Sequence, residues 1–230
     1  MLRKQVCGLQ QASQADKKLP LVIKVENERE LAEALLIVEK HPHPLRGVSI
    51  SQSLVTQKSL SPSITYLRIQ VHDLSTIEQL LETIALKKRF VEVFIPIELL
   101  NDPQLLQACQ RAHRIVIQIT NQQQPTNYHQ LFSQFLLLPH YPLFIGTPFC
   151  AIPPEHCYEF FDQNNTFIPP KPAACNGCLF IKHCPFDNTK PAPNFTPKPL
   201  TDEKRYNDAI TFVKAQLNPP THHENTPPRI

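Results

Sequence analysis

Glycine is scarce, with four in 230 residues. Loops that wrap phosphate in backbone amides need several glycines at fixed spacing, and neither G-x-x-x-x-G-K-[ST] nor G-x-G-x-x-G occurs. H-E-x-x-H and G-x-S-x-G are missing as well, which removes the commoner metalloprotease and hydrolase readings. No apolar run approaches the roughly 20 residues that cross a bilayer; the longest candidate, Phe132 to Leu138, is interrupted by Ser133 and Gln134 and ended by Pro139. The opening stretch, MLRKQVCGLQQASQADKK, is basic but lacks an apolar centre, so a secretory signal is not expected and the cytosol is the expected location. The net charge is only +3, and lysines and arginines are scattered. Their one cluster, Lys87, Lys88 and Arg89, ends a predicted helix, where cations complement the helix dipole and a solvated end is expected. Neither nucleic acid nor a membrane is implied as a partner.

What is present from Leu21 to about Ile145 is an alternation of β-rich and amphipathic helical runs. LVIKV (Leu21 to Val25) precedes ERELAEALLIVEK, in which Leu31, Ala34, Leu35 and Val38 recur at helical spacing. GVSIS (Gly47 to Ser51) reads as a short strand. ITYLRIQV (Ile64 to Val71) precedes Asp73 and Ser75, both good N-cap types, then a helix TIEQLLETIALKK with Ile77, Leu80, Leu81 and Ile84 on one face. FVEVFIPI (Phe90 to Ile97) leads to a helix from about Asn101 to Ala112, with Pro103 in its first turn. RIVIQIT (Arg114 to Thr120), a helix from Tyr128 to about Leu138 and LFIGT (Leu143 to Thr147) complete the series. Strand starts recur roughly every 25 residues, the pitch of repeated βα units with a parallel sheet. The fold class expected is therefore α/β, and right-handed crossovers leave either a partial (β/α) barrel with helices outside or an open parallel sheet with helices on both faces.

At Pro148 the composition changes: 16 of the 24 prolines lie from Pro142 onward. A segment dense in proline and poor in core-forming periodicity needs another source of stability, and a metal site supplies one by tying loops together. Five of the seven cysteines lie between Cys150 and Cys184. In a reducing compartment closely spaced cysteines are candidate metal ligands rather than disulfides. Cys7 and Cys109 stand apart, and Cys109, within LLQACQRA, reads as a buried helical thiol. The predicted organisation is an N-terminal extension (1–18), a β/α core (19–147), a Pro/Cys-rich metal-binding module (148–200), a helix (201–217) with Thr201 as N-cap, and a disordered tail (218–230) whose His222 and His223 read as solvated.

The central motif is CNGCLFIKHCPF. Cys175 and Cys178 are spaced C-x2-C, so two thiolates converge from one tight turn, with Gly177 free to adopt the positive φ such a turn often needs. Cys184 returns five residues later, and Pro185 behind it is similar to the Cys-Pro ending of ferredoxin-type cluster runs. A four-thiolate site needs one more ligand, either Cys150 in GTPFCAIPP, the preferred choice, or Cys157 in PEHCYEFF. The group expected is a [4Fe-4S] cluster held by Cys150, Cys175, Cys178 and Cys184. The alternative is a closed structural zinc site, with His183 or His156 available to it.

These residues resemble the C-terminal auxiliary-cluster region of radical SAM enzymes, of the SPASM and Twitch type. The resemblance covers Phe149 to Phe186 closely and the upstream β/α pattern only in outline. It implies a partial β/α barrel and an additional [4Fe-4S] cluster on Cys175, Cys178 and Cys184, with Cys150 or Cys157 upstream. Radical SAM enzymes also carry C-x3-C-x2-C after the first strand, whereas here no cysteine lies between Cys7 and Cys109 and the corresponding loop is ENERE. A further cysteine of the full SPASM pattern is replaced by Asn188, so a single auxiliary cluster is the most the resemblance supports. The catalytic residues are unknown, and cleavage of S-adenosylmethionine by this chain alone is not expected.

Three functions compete on these grounds. The first is an accessory, electron-transfer or substrate-binding protein that partners a redox or radical enzyme. The second is an enzyme using the mouth of the β/α core, where His72 and Asp73 lie at the end of a predicted strand, although Asp73 reads more simply as a helix cap. The third is a zinc-stabilised interaction module.

Overall fold

The computed structural model describes residues 5–55, 61–73, 77–84, 89–101, 111–119, 142–153, 156–157, 170–182, 184–185 and 196–217. The predicted helix over 128–138, Cys109, His183, Asn188 and the tail from 218 lie outside them, as do residues 102–110 of the helix expected over 101–112. The chain divides into two compact units, one formed by residues 4–124 and 142–145, the other by 1–3, 125–141 and 146–230.

The first unit is built on a parallel sheet of seven strands: β1 (Gln5–Gly8), β2 (Leu21–Lys24), β3 (Arg46–Ser51), β4 (Tyr66–Gln70), β5 (Phe90–Pro96), β6 (Arg114–Gln118) and β7 (Leu143–Ile145). Spatial order equals chain order throughout. A doubly wound sheet needs a point where the order reverses, whereas successive right-handed crossovers in one direction place every helix on one face. The sequential order therefore selects the barrel-type winding, a curled half-barrel that does not close between β1 and β7.

Strand β1 lies within the stretch expected to be an extension. Four residues, QVCG, are too few and too mixed to show a period, yet they pair in register with Leu21 to Lys24. The Gln5 side chain secures them, donating to the Asp16 carbonyl at 2.8 Å and accepting from the Asp16 amide at 2.9 Å.

Of the helices in this unit, α1 (Leu9–Ala12) is a single turn, α2 spans Glu28–Lys40 and α3 spans Ile77–Thr83. Asn27 caps α2, its side chain accepting the Glu30 amide at 2.9 Å. Leu31, Ala34 and Val38 are buried, and burial of each larger aliphatic side chain is worth about 1.5–3 kcal/mol. Helix α3 buries Ile77, Leu81 and Ile84 just past its end. It does not extend into a solvated basic end within the described residues, because Arg89 precedes β5 as a buried side chain, 8% exposed. The expected solvated trio is corrected at that position.

The register sorts the sheet into two unlike faces. Leu21, Ile23, Val48, Ile50, Leu67, Ile69, Val91, Val93, Ile95, Ile115 and Ile117 share the apolar face, and alternation puts Lys24, Ser49, Ser51, Arg68, Gln70, Glu92, Arg114 and Gln118 on the other. Amphipathic helices bury their apolar stripe on the first face, leaving the polar set on the inside of the curl. Gly47 belongs to that inner face, and a Cβ there would lie 1.6 Å from the Tyr66 carbonyl oxygen. Backbone in a paired strand cannot yield, so Gly47→Ala is expected to lower unfolding free energy by about 3 kcal/mol or more, read as a shift in the urea midpoint. An unchanged midpoint would refute this packing of β3 against β4.

In the second unit the last helix, α4, spans Glu203–Leu217. Its N-cap is Asp202 rather than the expected Thr201: the Asp202 carboxylate accepts the Arg205 amide at 3.2 Å and its carbonyl accepts the Tyr206 amide at 3.0 Å. Among the described residues no helix is long and apolar enough to cross a membrane.

Candidate metal centre

The second unit is held by aromatic contacts and short turns. Phe180 is fully buried, meeting Phe149 edge to face at 5.8 Å and Tyr206 of α4 at 4.9 Å. Leu179 donates its amide to the Leu200 carbonyl at 3.0 Å, tying the cysteine segment to the chain entering α4.

Cys175 to Cys178 form a tight turn closed by the Cys178 amide on the Cys175 carbonyl at 3.1 Å. Asn176 has φ −59 and ψ 133, and Gly177 has φ +79, the two central conformations of a type II turn, in which glycine is favoured third. The positive φ anticipated for Gly177 is present, for that reason. Two further turns follow, Ile181 onto Cys178 at 3.2 Å and Cys184 onto Phe180 at 3.0 Å. They return Cys184 to the same side as the C-x2-C pair. Cys150 comes from another turn, closed by the Ala151 amide on the Pro148 carbonyl at 2.9 Å.

These elements bring Cys150, Cys175, Cys178 and Cys184 onto the wall of one small cavity of about 20 Å³, completed by Phe149, Ile181, Pro197, Lys171 and Lys198. Cys157 does not line it; that side chain is fully buried with its thiol 3.7 Å from the Pro153 carbonyl. His156 is likewise absent from the wall. Among the described residues, no three His, Cys, Asp or Glu side chains converge closely enough to hold a single metal ion.

Electrostatically the wall opposes thiols with cations. Burial pushes the Cys150 thiol above its ordinary pKa; the amides of Lys198 and of Cys150 itself oppose the shift, and the neighbouring Cys175 and Cys178 reinforce it. Cys175 is raised by burial and by Cys178, with Lys171 acting the other way. Burial and like charge both disfavour the thiolate at Cys150 and Cys175. Lys171 Nζ donates to the Cys184 carbonyl at 2.6 Å, which fixes an ammonium at the edge of the cavity.

The His72–Asp73 pair is held differently from a reactive site. Both backbone amides donate to the Gln52 side-chain oxygen, each at 3.2 Å. Gln52 is buried, so this contact anchors the exit from β4.

A second polar constellation escaped the sequence reading. Arg68, Glu92 and Arg114 stand side by side on β4, β5 and β6. Glu92 is fully buried and accepts Arg68 Nε at 3.1 Å, Arg114 Nη1 at 3.0 Å and the Tyr66 hydroxyl. The Arg68 guanidinium lies 4.4 Å from the Phe94 ring centre and that of Arg114 4.9 Å from the Phe90 ring centre. The available signal was one charged residue set into each of three consecutive apolar strands, YLRIQ, FVEVF and RIVIQ.

No protein-family model, curated protein or solved structure matches this chain.

Proposed function

We propose that the chain is an iron–sulfur protein of radical-SAM-like organisation without the cluster that cleaves S-adenosylmethionine, acting as an electron-transfer or substrate-binding accessory to another enzyme. The observation that carries this reading is the meeting of Cys150, Cys175, Cys178 and Cys184 on one cavity wall.

The donor set fits a [4Fe-4S] cluster. Four thiols, with no carboxylate or imidazole among the described lining residues, suit soft-metal chemistry. A single zinc would draw its four sulfurs to about 3.8 Å from one another, given Zn–S bonds of about 2.3 Å and a tetrahedron. A cluster attaches each thiolate to a different iron, so its sulfurs stand farther apart, and the four cysteines that line the cavity supply one thiolate for each iron. Cys150, Cys175, Cys178 and Cys184 would hold it, Phe149, Ile181 and Pro197 would keep water from its sulfurs, and the Lys171 ammonium would offset its negative charge. Bound there, the cluster supplies reversible one-electron transfer.

The chain's own contribution is to fix four sulfurs by turns and to shield what binds them. The polar inner face of the sheet belongs to the other unit, and its Arg68–Glu92–Arg114 network is a structural ion cluster in this reading.

The test is anaerobic purification followed by iron, sulfide and zinc determination per chain. About four irons with matching sulfide, and an absorption near ~400 nm that dithionite bleaches, are expected for a four-thiolate cluster. Colourless protein with about one zinc would replace the redox reading by a structural clip.

A further inference from the structure

The Lys171 ammonium at a cavity wall made largely of thiols and apolar groups calls for an explanation beyond packing. Ammonium groups are costly to bring toward an apolar wall, and surface positions are open to them everywhere else. Lys198 reaches the site through its backbone, its amide hydrogen-bonding the Cys150 sulfur. Lys171 reaches it through its side chain, whose Nζ is pinned 2.6 Å from the Cys184 carbonyl. That bond holds the charge at the cavity.

We propose that Lys171 is a positioning residue that sets the reduction potential of the centre, holding a fixed positive charge beside Cys175 and Cys184 so that the reduced form is favoured. The inference rests on the cluster reading above. A [4Fe-4S] core with four thiolates is a dianion when oxidised and becomes a trianion on gaining one electron from a donor. A cation at fixed distance stabilises the trianion more than the dianion, because the attraction scales with charge. Net charge and hydrogen bonds to sulfur are among the terms that set cluster potentials, and this wall supplies one of each.

The experiment compares full-length wild type, Lys171→Gln and Lys171→Arg, purified without oxygen, by iron and sulfide content and by spectroelectrochemical midpoint. Lys171→Gln is expected to keep its iron and lose about tenfold in the equilibrium favouring the reduced form, a drop of about 59 mV for a one-electron couple. Lys171→Arg, which keeps the charge, is expected to stay close to wild type. Loss of iron in Lys171→Gln with full retention in Lys171→Arg would also support a charge role. An unchanged midpoint in Lys171→Gln would overturn it, and so would loss of iron in both variants, which would make Lys171 a packing residue. Wild type without iron would overturn the cluster reading itself and this inference with it, a result visible before any variant is made.

Discussion

Glu92→Ala is expected to destabilise the sheet by roughly 3–5 kcal/mol, the cost of removing one partner from a buried ion cluster. Glu92 is wholly inaccessible and accepts three donors, from Arg68, Arg114 and Tyr66. Deleting its carboxylate would leave two guanidiniums on either side of β5, facing the Phe94 and Phe90 rings of that strand but no longer its carboxylate. The side chains of Arg68 and Arg114 are 7% and 20% exposed, so Arg114 can recover some hydration and Arg68 bears most of the loss. Urea unfolding followed by far-ultraviolet circular dichroism would measure it. Glu92→Gln, which keeps the shape and one acceptor oxygen, should fall between wild type and Ala. Replacing Arg68, Glu92 and Arg114 together by leucine should restore most of the lost stability, because it removes every stranded charge at once. If Glu92→Ala unfolds at the wild-type midpoint, the three side chains do not form the cluster described.

That cluster also marks where the sequence stopped being informative. Strands β2 to β7 were legible because β-branched residues are concentrated at a regular pitch, and α2 because Leu31, Ala34 and Val38 recur on one face. The choice between barrel-type and doubly wound sheets was not legible. It depends on strand order, a property of long-range pairing that no local pattern encodes. Strand β1 was hidden by its length, since four residues give a period of two too few repeats to stand out, and its pairing with β2 is a tertiary matter. Arg89 was misread because a basic residue after a helix has two outcomes, a solvated cap or a buried strand entry. At the metal centre, C-x2-C spacing and Gly177 foretold a turn through purely local sterics. The part played by Lys171 could not be foreseen, as it sits four residues before Cys175 in a proline-rich run and meets Cys184 only through the fold.

Cys178→Ser is expected to reduce iron from about four atoms per chain to well under one, while Cys157→Ser retains it. The two residues differ in position. Cys178 lines the cavity with Cys150, Cys175 and Cys184, whereas Cys157 is buried away from it with its thiol toward the Pro153 carbonyl. Serine is nearly the size of cysteine, so little cavity is created, but its hydroxyl resists deprotonation at neutral pH and is a harder donor than the thiolate it replaces. The loss should spread to the fold of this unit. Its described elements are short turns, one aromatic cluster and α4, and in the cluster reading proposed above bound metal would supply much of its stability, as it does in zinc-finger peptides with about 10–16 kcal/mol of metal binding at neutral pH. Hydrogen exchange would therefore show lost protection over residues 170–182 and 196–217 in Cys178→Ser, with strands β2 to β6 still protected, because the sheet buries its own core. Cys157→Ser should lose only the modest stability of a buried thiol exchanged for a hydroxyl. Full iron retention in Cys178→Ser, or loss confined to Cys157→Ser, would move the ligand set from the wall described here to another group of cysteines.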